Sequence, residues 1–330
     1  MVIDKILKGV YSEHMDSTMH QFAPYQYNKE TFWDSLETAR SALGISKADV
    51  AGSLHINPKQ YAVAANSKPN MKLTNAFLYA AAVGLSLDEA VRGAAESRFL
   101  RVLQQNDINL TSLPSDSIVR SFPYKGLIPT FVDFVALSPD KRLQTTIISA
   151  ITMSKADLMQ FFYRVAGTEA DFNRLFSSMS VADPMDLFVQ NGLAREMRRY
   201  GSKQEFAVRI GLTLGQLLRY LNHTENKNLQ SADQKIATVP LLDKVLNICN
   251  SLQVSIDGMM KPLFIFDDFV DIRLESAVDD SDKMYYFRRS FDYFSNIFQA
   301  LPVLYPIVHR FCASSEDGRK RICDLSEHNG

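Results

Sequence analysis

The 330 residues are 46% hydrophobic and 22% charged, with a formal net charge of −1, the profile of a folded chain long enough for two or three domains. A sequence pI near 6.6 excludes a general polycation, so any affinity for nucleic acid must come from a local basic face. Cys249, Cys312 and Cys323 are odd in number, far apart and outside metal-ligand spacing, which excludes a disulfide framework and points to a reducing compartment.

Near the N-terminus, Asp4, Lys5 and Lys8 interrupt every apolar stretch, so no secretory leader is expected. Residues 76–85 form the longest apolar run, too short to cross a bilayer. The expectation is a cytoplasmic protein with no membrane partner. Strand signals are scarce and helical periodicity is common, so the fold class is read as all-α.

Along residues 1–28 the signal is weak, with a short helix at 3–11. Residues 31–43 then place Phe32, Leu36, Ala39 and Leu43 on one face and end at Gly44. Ser46 caps a second helix with Asp49 three residues on. Asn57 and Pro58 open a third, to about 66. After a turn at 67–70, a fourth helix covers 71–83, and Ser86 caps a fifth over 87–103.

The same order returns later in the chain. Ser46-Lys47 and Ala51 are answered by Ser202-Lys203 and Ala207, 156 positions on (202 − 46). A first helix is expected over 186–200, the next at Ser202, the third at Thr213 and the fourth over 241–252. Val254-Ser255-Ile256-Asp257 then answers Leu85-Ser86-Leu87-Asp88. A duplicated unit of about five helices sets the architecture before any residue is interpreted. The expected organisation is an N-terminal segment 1–28, a first unit 29–104, a linker and helical middle segment 105–183, a second unit 184–260 and an aromatic-rich C-terminal segment 261–330. In that last segment, 284–311 carries enough aromatic residues to pack on two sides or to form a homodimer interface. Residues 313–330 are polar and charged and are expected to fray.

On these residues, from Ile45 to Glu89 in the first copy, the chain resembles the lambda-repressor/Cro-like helix-turn-helix family. Ile45, Ser46, Lys47, Ala51, Leu54, His55, Ile56 and Asn57 fall on the family pattern. His55 departs from the usual turn glycine, whereas the second copy keeps Gly211. The resemblance implies two DNA-binding units, each laying its third helix in the major groove. It assigns base contacts to Lys59, Gln60, Val63 and Asn66, and phosphate contacts to Lys47 and Lys68. In the second copy it assigns base contacts to Gln216, Arg219 and Asn222, with Lys203, Gln204 and His223 at phosphates and Thr213 at the helix start. A long insertion over 224–239, carrying Lys227, departs from the family's short loop and is either a solvated loop or an additional phosphate-contacting arm. Pro58, Leu214 and Gly215 also depart from it, standing where the family usually has polar side chains.

Elsewhere the six histidines show no metal-ligand spacing, so no metal or cofactor is expected. The acidic cluster around Asp267, Asp268 and Asp271 reads as a solvated face. No phosphate-cradling glycine loop or nucleophile elbow occurs, and an enzyme is not expected. The functional expectation is a bacterial or phage type of transcriptional regulator reading an asymmetric duplex site. The alternative is a helix-turn-helix scaffold that binds a protein partner.

Overall fold

A computed structural model describes residues 22–94, 97–121, 128–179, 183–222, 239–260, 274, 276–294 and 301–327. The expected helix at 3–11 and nearly all of the 224–239 insertion, with His223 and Lys227, lie outside the described residues. The described residues are helical with no strand among them, which agrees with the all-α class. No helix among them is long and apolar enough to cross a membrane.

The first run of helices is α1 (Lys29–Ala42), α2 (Lys47–Ser53), α3 (Pro58–Ser67), α4 (Leu73–Ala82) and α5 (Leu87–Arg92). The starts are local chemistry: Ser46, Asn57 and Ser86 each form a reciprocal capping box with Asp49, Gln60 and Glu89. The fifth helix is shorter than the periodicity predicts. Gly93 takes φ 73° and ends it, a conformation in which an L side chain is strained, and Ser97 caps a separate α6 (Arg98–Gln105).

Next come a 3-10 turn at Leu110–Ser112, then α7 (Ile118–Ser121), α8 (Ile128–Ala136), α9 (Arg142–Thr152), α10 (Lys155–Val165) and α11 (Glu169–Ser177). The second run opens with α12 (Pro184–Asp186), passes through a π-helical segment, Leu187–Leu193, and continues as α13 (Ala194–Met197). It then repeats the earlier order as α14 (Lys203–Arg209), α15 (Leu214–Leu221), α16 (Leu242–Leu252) and α17 (Ile256–Met260). The chain finishes with α18 (Asp280–Phe294), α19 (Leu304–Ala313) and α20 (Glu316–Glu327).

Two hydrophobic clusters organise these helices. One joins both repeats, from Phe32, Trp33 and Tyr61 through Phe188, Phe206 and Leu246. The other joins the middle and C-terminal helices, from Phe99 and Val102 through Phe161 to Phe311 and Ile322. Helix α6 packs with the middle segment through Phe99, Val102 and Leu103, and the middle and C-terminal segments share one core. Phe287 and Phe291 are buried inside the chain: Phe134 stacks on Phe287 at 5.1 Å, and Phe291 on Tyr305 at 5.0 Å.

Within the polar C-terminal stretch, where the composition predicts fraying, residues 316–327 form a packed helix. Helix α20 buries Ile322, Cys323 and Ser326. Arg319 forms an ion pair with Asp140 at 3.0 Å and Arg142 with Glu316 at 2.7 Å, tying α20 to the start of α9. A one-sided apolar face was hidden by a composition that is otherwise charged.

Between the repeats the contacts are reciprocal. The Leu73 N–H donates to the Pro240 carbonyl at 2.9 Å, and the Leu242 N–H donates to the Met71 carbonyl at 2.8 Å. Lys72 and Leu241, at the starts of α4 and α16, form an antiparallel bridge. The two bonds span 167 and 171 positions (240 − 73 and 242 − 71), symmetric about the 169 positions (241 − 72) between Lys72 and Leu241, which is the repeat distance after the insertion. Contact of i with j′ and of i′ with j is the signature of a two-fold interface. The repeats are therefore joined about a pseudo-two-fold axis within one chain.

Candidate nucleic-acid interface

Helix pairs α2–α3 and α14–α15 are built from matching parts, position by position. Ala51 and Ala207 are both fully buried where the paired helices meet, as are Tyr61 and Leu217 one helix on, with Val50 and Phe206 at 1% and 0% exposure. Small side chains are needed where two helix backbones approach closely. The connecting turns match too: the Ile56 N–H donates to Ala51 O at 3.0 Å and the Leu212 N–H to Ala207 O at 2.9 Å. His55 takes φ 53° and Gly211 φ 71° at the equivalent place, so His55 adopts the left-handed geometry that the turn requires.

The third helices start alike. Asn57 and Gln60 form a capping box on α3, and Thr213 and Gln216 form one on α15. Both glutamines are exposed, but their carbonyl oxygens already accept cap N–H groups, at 3.0 Å from Asn57 and 2.9 Å from Thr213. The Thr213 hydroxyl likewise accepts from the Gln216 N–H. These residues are structural first, and what Gln60 and Gln216 still offer a ligand is their amide N–H groups.

On α3, Lys59, Gln60, Val63 and Asn66 are exposed. Lys59, Gln60 and Val63 line one open groove with Asn57, Ser67 and Pro69. Spacings of three and four residues keep such positions on one helix face. On α15, Gln216 and Arg219 and the following Asn222 are exposed at three-residue spacing, and Lys203 and Gln204 are exposed on α14.

The phosphate candidates are unequal. Lys47 pairs with Glu37 at 3.5 Å and Lys68 with Asp34 at 2.6 Å. Burial raises the Glu37 carboxyl, but hydrogen bonds from Arg40 and Tyr61, with the charges of Arg40 and Lys47, outweigh it and hold it below its ordinary range. Glu37 therefore stays ionised and offsets the first unit's cations. In the second unit Lys203, Arg209 and Arg219 are exposed and in no ion pair among the described residues, as is Arg198.

Arg195 and Arg199 both pair with Glu196, which is 2% exposed. Arg195 donates to Glu196 Oε1 at 3.0 Å and to the Gly258 carbonyl at 3.1 Å, and Arg199 to Glu196 Oε2 at 2.7 Å. Part of the basic character of this stretch is thus spent on holding α13 to α17.

A residue that the sequence reading passed over lies at the joint between the units. The Tyr25 N–H donates to Asn250 Oδ1 at 2.7 Å, and Asn250 Nδ2 returns a bond to Tyr25 O at 3.0 Å. The Tyr25 hydroxyl donates to Asp88 and accepts from the Ile256 N–H. Arg92 stacks over its ring at 4.2 Å. Only the partners, 63 to 231 positions away, distinguish Tyr25 from any other tyrosine.

Among the described residues no group of His, Cys, Asp and Glu is arranged to hold a metal ion. Comparison with known protein families, characterised proteins and solved structures finds no match to this chain.

Proposed function

We propose that this chain is a DNA-binding transcriptional regulator in which two lambda-repressor-like helix-turn-helix units act as an intramolecular pseudo-dimer. The observation that carries the reading is the reciprocal pairing of Leu73 with Pro240 and of Leu242 with Met71. A two-fold joint sets two equivalent reading helices at a fixed separation, as two half-sites about one helical turn, ~34 Å, apart demand. Helices α3 and α15 are the reading helices. Their outer faces differ in sequence, so the site they read is asymmetric.

Support also comes from the exposed cations of the second unit, Lys203, Arg209 and Arg219, which suit phosphate and base-edge contacts. The test is selection from a randomised duplex pool by the full chain, followed by sequencing of the bound DNA. An enriched asymmetric motif is the expected result, and a perfect short palindrome would count against the pseudo-dimer. Arg219→Ala should reduce discrimination by ~1–3 kcal/mol, and Lys203→Ala should weaken all duplexes alike.

Two observations favour the alternative, a scaffold for a protein partner. In the first unit Lys47 and Lys68 are paired with carboxylates, and Val63 stands 59% exposed on α3. A scaffold would bind its partner with little response to salt or to Arg219→Ala.

A further inference from the structure

Val63 and Arg219 hold the same place in the two units, 156 positions apart (219 − 63). Each sits on the outer face of its helix, three residues after the glutamine of the capping box. The helices begin with the same capping geometry and pack against equivalent buried residues, Ala51 with Tyr61 and Ala207 with Leu217. The two side chains thus leave equivalent helices at equivalent points. One is an apolar group with 59% of its surface in water, and the other is an exposed guanidinium.

Single exposed valines are common on proteins and by themselves signify nothing. This one occupies the position that carries the second unit's cation, among the exposed polar groups of Lys59 and Gln60. The major groove offers a counterpart to each side chain. A thymine presents a C5-methyl for apolar contact, and a guanine presents O6 and N7 to a bidentate arginine.

We infer that the two units read chemically different bases at the equivalent step: Val63 packs on a thymine methyl in one half-site, and Arg219 bonds a guanine in the other. This rests on the duplex-reading function proposed above. The charge distribution agrees with it. Where Lys47 and Lys68 are offset by Glu37 and Asp34, the first unit has less phosphate attraction to add, and an apolar contact is the component that salt does not screen. Where Lys203 and Arg209 are exposed and unpaired among the described residues, the second unit couples an ionic base contact to phosphate binding.

The experiment uses the full chain and the duplex that it enriches from a random pool, resynthesised with one base analogue at a time. Deoxyuracil removes the thymine methyl, and 7-deazaguanine removes N7. One deoxyuracil in one half-site should weaken binding about fourfold, the worth of a buried methyl, and Val63→Ala should abolish that difference. One 7-deazaguanine in the other half-site should weaken binding by about tenfold or more, the worth of one hydrogen bond from a charged group, and Arg219→Ala should abolish that one. Val63→Arg, an exposed change, should return a guanine at the mirror position when the selection is repeated.

Tolerance of deoxyuracil throughout that half-site would overturn the inference, as would persistence of its effect in Val63→Ala. So would an enriched motif with base preference only in the Arg219 half, which would give the Val63 face to a protein partner. Failure to enrich any duplex is a separate outcome: it removes the duplex-reading function itself and the inference with it.

Discussion

Asp88 and Asp257 hold the same place in the two repeats and touch each other, the Asp88 N–H donating to Asp257 Oδ1 at 3.2 Å. Burial raises the Asp88 carboxyl above its ordinary range. The hydrogen bond from Tyr25 pulls it down, the Asp257 charge pushes it up, and Arg92 pulls it down, leaving a net rise. A raised native pKa means that the folded state holds the proton more tightly than the unfolded chain does. The stabilisation this provides is fully present below the unfolded aspartate value, ~3.9, and is lost as pH rises through the folded value. The melting-temperature difference between the wild type and Asp88→Asn should therefore shift in favour of the wild type as pH is lowered from 7. Glu37 and Asp140, whose carboxyls are depressed, lose their contribution on acidification in both proteins and cancel. A difference that is flat with pH would show that Asp88 does not titrate at the joint.

Tyr25→Phe removes the hydroxyl that accepts the buried Ile256 N–H and donates to Asp88. An orphaned buried donor costs ~1–3 kcal/mol. Urea unfolding should show a lower midpoint at unchanged slope, since the exposed area is the same. Asn250→Ala, which cuts both bonds to the Tyr25 backbone, should shift the midpoint in the same direction. A neutral result for both would deny the N-terminal segment any part in holding the units together.

The turn residues carry opposite expectations. Gly211 has φ 71° with nothing within 4 Å of the position a Cβ would take, so the cost of Gly211→Ala is conformational alone, about 1–2 kcal/mol. His55 occupies the equivalent geometry at φ 53°, and His55→Gly should relieve strain and stabilise the fold by up to about 1 kcal/mol. Equilibrium denaturation of the two variants measures both signs, and the same sign for both would contradict the equivalence of the turns.

Glu37→Gln and Asp34→Asn would free Lys47 and Lys68 respectively from their ion pairs. The carbonyl oxygen of the amide in Glu37→Gln could still accept the Tyr61 hydroxyl that Glu37 accepts now. If the first unit contacts phosphates, each change should strengthen duplex binding and steepen the dependence of log K on log salt by about 0.9. Titrations at several salt concentrations give the slope. An unchanged slope would place these lysines away from the DNA.

Whatever depends on residues a few positions apart was legible in the sequence. Ser46 with Asp49 forms the cap that its spacing predicts, and Asn57 with Pro58 opens its helix as expected. The 156-position register matches Ala51 to Ala207 and His55 to Gly211 in the sequence alone. Helix starts and tight turns are settled by local backbone geometry, so a short window contains their causes. The break at Gly93 was also written locally, but apolar periodicity runs straight across it and masks it.

The tertiary structure decided what the repeats do with each other. The bridge between Lys72 and Leu241, the clasp of Tyr25 on Asn250 and the pairing of Lys47 with Glu37 join residues whose own neighbours in the chain say nothing of the partner. The middle and C-terminal helices share one core for the same reason: periodicity identifies a face that must be buried, while chain topology and packing select the surface that buries it.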